Sequence, residues 1–82
     1  MPIEAPLSGT LVVMANDDKP GVIGEVGTAM GRHGVNIGSF ALGRDKDGAV
    51  GVISVDEADG LAAAVKDVKA SKAVREALIV RL

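Results

Sequence analysis

Apolar positions recur along this chain with two different periods, and the switches between them mark its elements. Thr10 to Asn16 (TLVVMAN) is apolar on both alternating faces, which predicts a strand buried on part of each side. Asn16 to Gly21 then combines an acidic turn, a cap candidate in Asp18 and a proline suited to a first helical position. Val22, Ile23, Val26, Ala29 and Met30 share one face at the 3.6-residue period, and Gly34 after His33 reads as a stop. A helix over about Pro20 to His33 is predicted.

Alternation resumes from Val35 to Arg44 (VNIGSFALGR), breaks at Asp45-Lys46-Asp47-Gly48, and returns from Ala49 to Val55 (AVGVISV), the pattern of an antiparallel hairpin. Leu61, Ala64, Val65 and Val68 mark a second amphipathic helix over about Asp59 to Ala70, and Ala77 to Leu82 closes as a strand. The order β-α-β-β-α-β predicts an α+β, ferredoxin-like domain: a four-stranded antiparallel sheet with both helices on one face. Residues 10–82 form this domain, and Met1 to Gly9, with two prolines and Ser8-Gly9, is an irregular lead-in. Strands apolar on both sides imply that the second sheet face docks against something.

Composition sharpens the picture. At 82 residues the chain buries about 60% of the surface its unfolded form exposes. Its apolar fraction of 48% includes one Phe and no Trp or Tyr, so the core is Val, Ile, Leu, Ala and Met. Association with a second copy or a larger protein is therefore expected. The absence of Cys excludes disulfides and thiolate metal sites and fits a cytoplasmic location. A net charge of −2 with scattered Lys and Arg argues against nucleic acid, and no stretch reaches the roughly 18 apolar residues of a membrane span.

The same architecture serves several chemistries, so function has to come from residues. There is no Cys pair for a metal cluster, Phe40 is alone as a base-stacking aromatic, and Asp17 and Asp18 would repel a phosphate from the first loop. Eleven glycines include no G-x-G pair and no G-x-x-x-x-G-K run, so neither phosphate fingerprint is present. One His and no carboxylate pair tied to a base leave no catalytic constellation. His33 reads as structural, and Arg44 and Lys46 as solvated charges beside a turn.

Two segments remain: the loop Asn16 to Gly21, and Gly34-Val35-Asn36-Ile37 beyond the first helix. The backbone N–H groups of Gly21, Val22 and Ile23 suit a carboxylate, Asp18 suits an ammonium, and the Asn36 amide can donate and accept. A free amino acid matches that set. The helix separates the two ends by about 20 Å, so one ligand reaches both only if two copies pair side by side about a two-fold axis. The plain alternative is a helix start and a turn residue with no ligand. Gly24, Gly27 and Gly31 cluster opposite the apolar face, at a cost of up to about 1 kcal/mol each relative to Ala. They suit close approach to a neighbouring helix or form an exposed, tolerated run.

The stretch NDDKPGVIGEVGTAMGRHGVNIGSFALGR resembles the core signature of the ACT domain family, and EAPLSGTLVVMANDDKPGVIG together with NIGSFALGR resembles, within that family, the regulatory domains of D-3-phosphoglycerate dehydrogenases. The resemblance implies a homodimeric regulatory module without catalytic residues, binding L-serine or another small amino acid across a subunit interface. NAD would bind a catalytic part outside this chain, and no cofactor is expected within it. Carried over by position, the effector residues are Asn16, Asp18 and Asn36. Asn16 stands where the best-known serine-inhibited members have His, and Asp18 where they have Asn. A structural dimerisation module without effector and a free-standing regulator are the other readings.

Overall fold

The structure is a computed structural model that describes residues 9–18, 20–46 and 48–82. The lead-in expected over Met1 to Gly9 lies, apart from Gly9, outside the described residues. The elements are β1 (Thr10–Asn16), α1 (Val22–Arg32), β2 (Ile37–Asp45), β3 (Gly48–Val55), α2 (Leu61–Lys69) and β4 (Val74–Arg81). They build one antiparallel sheet in the order β2-β3-β1-β4, the ferredoxin-like arrangement that the pattern predicts.

Register explains why the alternation is so clear in the sequence. Phe40, Ile53, Val12 and Ile79 lie abreast across the four strands, and this row packs under the helices. Val26, Ala29 and Met30 of α1 and Leu61, Ala64, Val65 and Val68 of α2 close over it. Met14, Met30, Ile53 and Leu61 are among the largest side chains fully removed from water, each contributing on the order of 1.5–3 kcal/mol. One register position over, the opposite face carries Ala41, Val52, Val13 and Leu78; the first three are half-buried and Leu78 is 42% exposed. That face is apolar along this row and is interrupted on either side by Ser39, Ser54 and Glu76.

Several boundaries differ from those the sequence pattern predicts; the hairpin strands, for instance, run Ile37–Asp45 and Gly48–Val55, so β2 starts two residues later than Val35 and the turn is tighter than expected. Helix α1 begins at Val22, because Gly21 adopts φ 90° as the N-cap and Pro20 lies in the turn before it. Strand β4 begins at Val74, three residues before the expected Ala77, because Val74 pairs with Asn16 across a register shift. Helix α2 is shorter at both ends than expected, spanning Leu61–Lys69 with Gly60 as its N-cap.

The chain just after α1 and the start of α2 lie in close contact. A Cβ on Gly60 would lie 2.2 Å from the carbonyl oxygen of His33, so the backbones touch there without room for a side chain. Gly34, with φ 71°, turns the chain out of α1 as a left-handed stop. We expect Gly60→Ala to lower stability by about 1–3 kcal/mol in urea denaturation. Gly24→Ala, whose added carbon meets nothing within 4 Å, should raise it by up to about 1 kcal/mol.

Candidate functional site

Sheet register sets Asn16, and with it the start of the loop to α1, at one end of the sheet. Asn16, the last residue of β1, lies opposite Ala49 of β3 on one side and Val74 of β4 on the other. Ala49 in turn lies opposite Arg44 of β2. One row across the whole sheet therefore carries Arg44 and Asn16, and the loop to α1 rises from it.

Asn16 is 2% exposed, so its side chain is walled in. Its Nδ2 donates to the Asp17 carbonyl at 2.9 Å, while Oδ1 is buried with no hydrogen-bond partner among the described residues. A buried amide oxygen left this way costs on the order of 1–3 kcal/mol. Arg75 of β4 secures the same segment: Nη2 donates to the Asn16 carbonyl at 3.3 Å, and Nε lies 3.6 Å from Asp17 Oδ1. Gly48 makes this possible, since a Cβ there would stand 2.2 Å from Arg75 Nη2 and 2.7 Å from the Asn16 carbonyl oxygen. The Asp17 N–H donates to the Ala73 carbonyl at 2.7 Å, which fixes the loop from its other side.

Asp18 does not cap the helix. Its Oδ1 accepts from Arg44 Nε at 3.0 Å, which gives a role to an arginine whose place in the sequence suggests only a solvated charge. The hairpin turn could have signalled it, because placing that turn fixes Arg44 opposite Ala49. Among the described residues no side chain caps the N-terminus of α1, and its first intrahelical bond runs from the Glu25 N–H to the Gly21 carbonyl at 2.9 Å. Helix geometry leaves the N–H groups of Gly21, Val22, Ile23 and Gly24 without intrahelical partners. The Val22 side chain is buried, whereas Ile23 is 52% exposed.

Asn36 sits beyond the other end of the helix. It is exposed, and its carbonyl accepts the Asp56 N–H at 3.1 Å. With 11 residues, α1 spans about 16 Å, so one molecule brings Asn16, Asp18 and Gly21 together and leaves Asn36 apart. Gly24, Gly27 and Gly31 lie on α1 with no neighbour within 4 Å of an added Cβ, so nothing in the described chain fills the stripe. A groove of about 720 Å³ runs between α1 and the C-terminal end of α2; Val22 and Gly24 line it, but Asn16, Asp18 and Asn36 do not. Among the described residues no group of three or more His, Asp or Glu is placed to hold a metal ion. No helix among them is long and apolar enough to cross a membrane.

At the Asn36 end, His33 Nε2 and Asp67 Oδ2 share a 2.6 Å hydrogen bond, and Arg32 Nη1 adds a 3.2 Å contact to the same carboxylate. His33 is thus structural, as the sequence suggests, through a link from α1 to α2. The His33 hydrogen bond and, more weakly, Arg32 hold the Asp67 carboxyl below its usual value. Glu57 is lowered by hydrogen bonds from Arg81 and then Thr10.

These contacts define an α+β module with charged and backbone donors and acceptors at one helix end. The model of the ACT domain family matches residues 9–73, and the chain belongs to that family. It is homologous to the regulatory region of D-3-phosphoglycerate dehydrogenases. The Archaeoglobus fulgidus enzyme of that name is 43% identical over 54% of this chain, and the Synechocystis one is 32% identical over 99%. The chain spans 8% and 15% of those two relatives. A homoserine dehydrogenase structure from Thiobacillus denitrificans superposes with a TM-score of 0.69 over 90% of this chain and 17% of its own, at 17% identity, which shows the shared fold.

A carboxyl lowered in the folded state stabilises the fold at pH values above its unfolded pKa, and that contribution is lost as pH falls through the folded one. Asp67 and Glu57 both act in this direction. The urea midpoint should therefore fall as pH drops below the usual carboxylate range, and Asp67→Asn should show a shallower acid fall than the parent chain.

Proposed function

We propose that this chain is an amino-acid-sensing ACT module that binds L-serine or another small amino acid between two copies of itself. In a D-3-phosphoglycerate dehydrogenase it would control the NAD-dependent first step of serine biosynthesis. The observation that carries the reading is the α1 N-terminus, uncapped by any described side chain, beside the carboxylate of Asp18. Unpartnered N–H groups at the positive end of a helix receive a carboxylate, and Asp18 receives an ammonium. The 11-residue helix supports a shared pocket, because Asn36 completes the set only when supplied by a partner.

Support for side-by-side pairing comes from the layout of the layers. β2 is an edge strand, α2 packs along β4 at the opposite edge, and α1 packs beside α2 on the side toward β2. Ile23, 52% exposed, and Gly27 lie on α1, and Ile37, 36% exposed, starts the β2 edge. A second copy would cover apolar surface there and pair an open strand edge. Regulation then follows by linkage: a ligand held between two modules favours one mutual arrangement and biases whatever is attached to them.

A structural dimerisation module without effector is the second reading. Its support is Asn16, whose side chain is enclosed and already bonded to its own loop.

Titrating the chain with each proteinogenic amino acid by NMR or calorimetry separates the two. We expect saturable shifts at Asp18 and Asn36 with Kd of about 1 μM to several mM, the range open to a ligand of about seven heavy atoms. Asp18→Ala and Asn36→Ala should each weaken binding about tenfold or more. Silence up to tens of mM, on the order of the weakest plausible affinity, sinks the sensing reading. Light scattering should report a dimer that Gly27→Arg disrupts; a monomer at high concentration contradicts the shared pocket.

A further inference from the structure

The carboxylate of Asp18 is occupied before any ligand arrives. Arg44 Nε donates to it at 3.0 Å, joining the loop before α1 to the end of β2, 26 residues away in sequence. Both side chains remain accessible, Arg44 at 66% and Asp18 at 45%, so a solute reaches either without unfolding the loop. Arg75 at the same end is differently placed. Its guanidinium lies in the notch over Gly48, bonded to the Asn16 carbonyl, and it serves to hold the backbone.

Two kinds of ligand would meet the Asp18–Arg44 pair very differently. A simple ammonium must displace the guanidinium from Asp18 and leave it uncompensated. A zwitterion exchanges one ion pair for two, ammonium on Asp18 and carboxylate on Arg44, and preserves the charge balance of the site. A guanidinium is well suited to the second half of that exchange, because its planar fork matches a carboxylate. The carboxylate would be shared with the N–H groups that open α1.

We propose that Arg44 makes this site selective for zwitterions: it holds Asp18 closed in the free chain and receives the ligand's carboxylate once the ammonium has taken Asp18. The inference rests on the amino-acid-sensing reading and adds a specificity-determining residue to it.

The test titrates the whole chain and its Arg44→Gln and Arg44→Lys variants with two probes, L-serine and ethanolamine, which is the same skeleton without the carboxylate. If the screen finds a different amino acid, the probes are that amino acid and its decarboxylated amine. Arg44→Gln should weaken the amino acid about fivefold or more, the scale of one charge-assisted hydrogen bond to its carboxylate. The same change should tighten the amine about threefold, because the amine no longer has to break a surface ion pair. Arg44→Lys should fall between the parent and Arg44→Gln for both probes. Retained amide spectra establish that the variants are folded. Two probes moving in the same direction, or an amine whose affinity does not rise, overturn the role of Arg44 while leaving sensing intact. A parent chain that binds no amino acid at all refutes the sensing reading and this inference together.

Discussion

The antiparallel register at the loop end of the sheet governs the rest of the site. Because Arg44, Ala49, Asn16 and Val74 stand abreast, Asp18 meets a guanidinium from the far edge strand, and Arg75, the residue after Val74, reaches the Asn16 carbonyl. A one-residue slip would turn the core row Phe40, Ile53, Val12 and Ile79 outward, so hydrophobic burial and the geometry of the loop before α1 are fixed by the same pairing. The loop needs no rigidity of its own, since the Asp17 N–H, the Asn16 carbonyl and the Asp18 carboxylate are each held by a different neighbour.

In the proposed sensor, helix α1 converts this local order into a requirement for two molecules. Its start offers N–H groups and its end leads to Asn36, but its length keeps them about 16 Å apart. The chain would then supply complementary halves of a pocket at opposite ends of one helix. A two-fold axis brings such halves together twice, which is how a small ligand could couple to the relative position of two larger partners. The close approach of Gly60 to His33 and the His33–Asp67 bond brace the Asn36 end against α2, as Arg75 over Gly48 braces the other.

Much of this is legible in the sequence, for identifiable reasons. Alternation in TLVVMAN and AVGVISV and the 3.6-residue stripe of Val22, Val26, Ala29 and Met30 report burial directly, and burial is what these elements share in the structure. The acidic loop, Pro20-Gly21 and Asn36 are visible as polar interruptions of that pattern. The partners of the loop are not, because they depend on pairing between distant strands. Arg44 and Arg75 look like ordinary strand-end charges until the register is known, and the role of Gly48 appears only when the Arg75 guanidinium is seen above it. Local rules also place the helix start at Pro20, where the positive φ of Gly21 delays it to Val22.

A mixed-subunit experiment tests most directly whether one ligand is held by Asp18 of one copy and Asn36 of another. Asp18→Ala and Asn36→Ala chains are each titrated with the amino acid that binds the parent, then combined in equal amounts and titrated again. The shared pocket predicts that each variant alone binds poorly and that the mixture recovers about a quarter of the parent's sites, because half the dimers are mixed and each mixed dimer rebuilds one of its two pockets. A mixture no better than its components, beside a parent chain that binds, would contradict it.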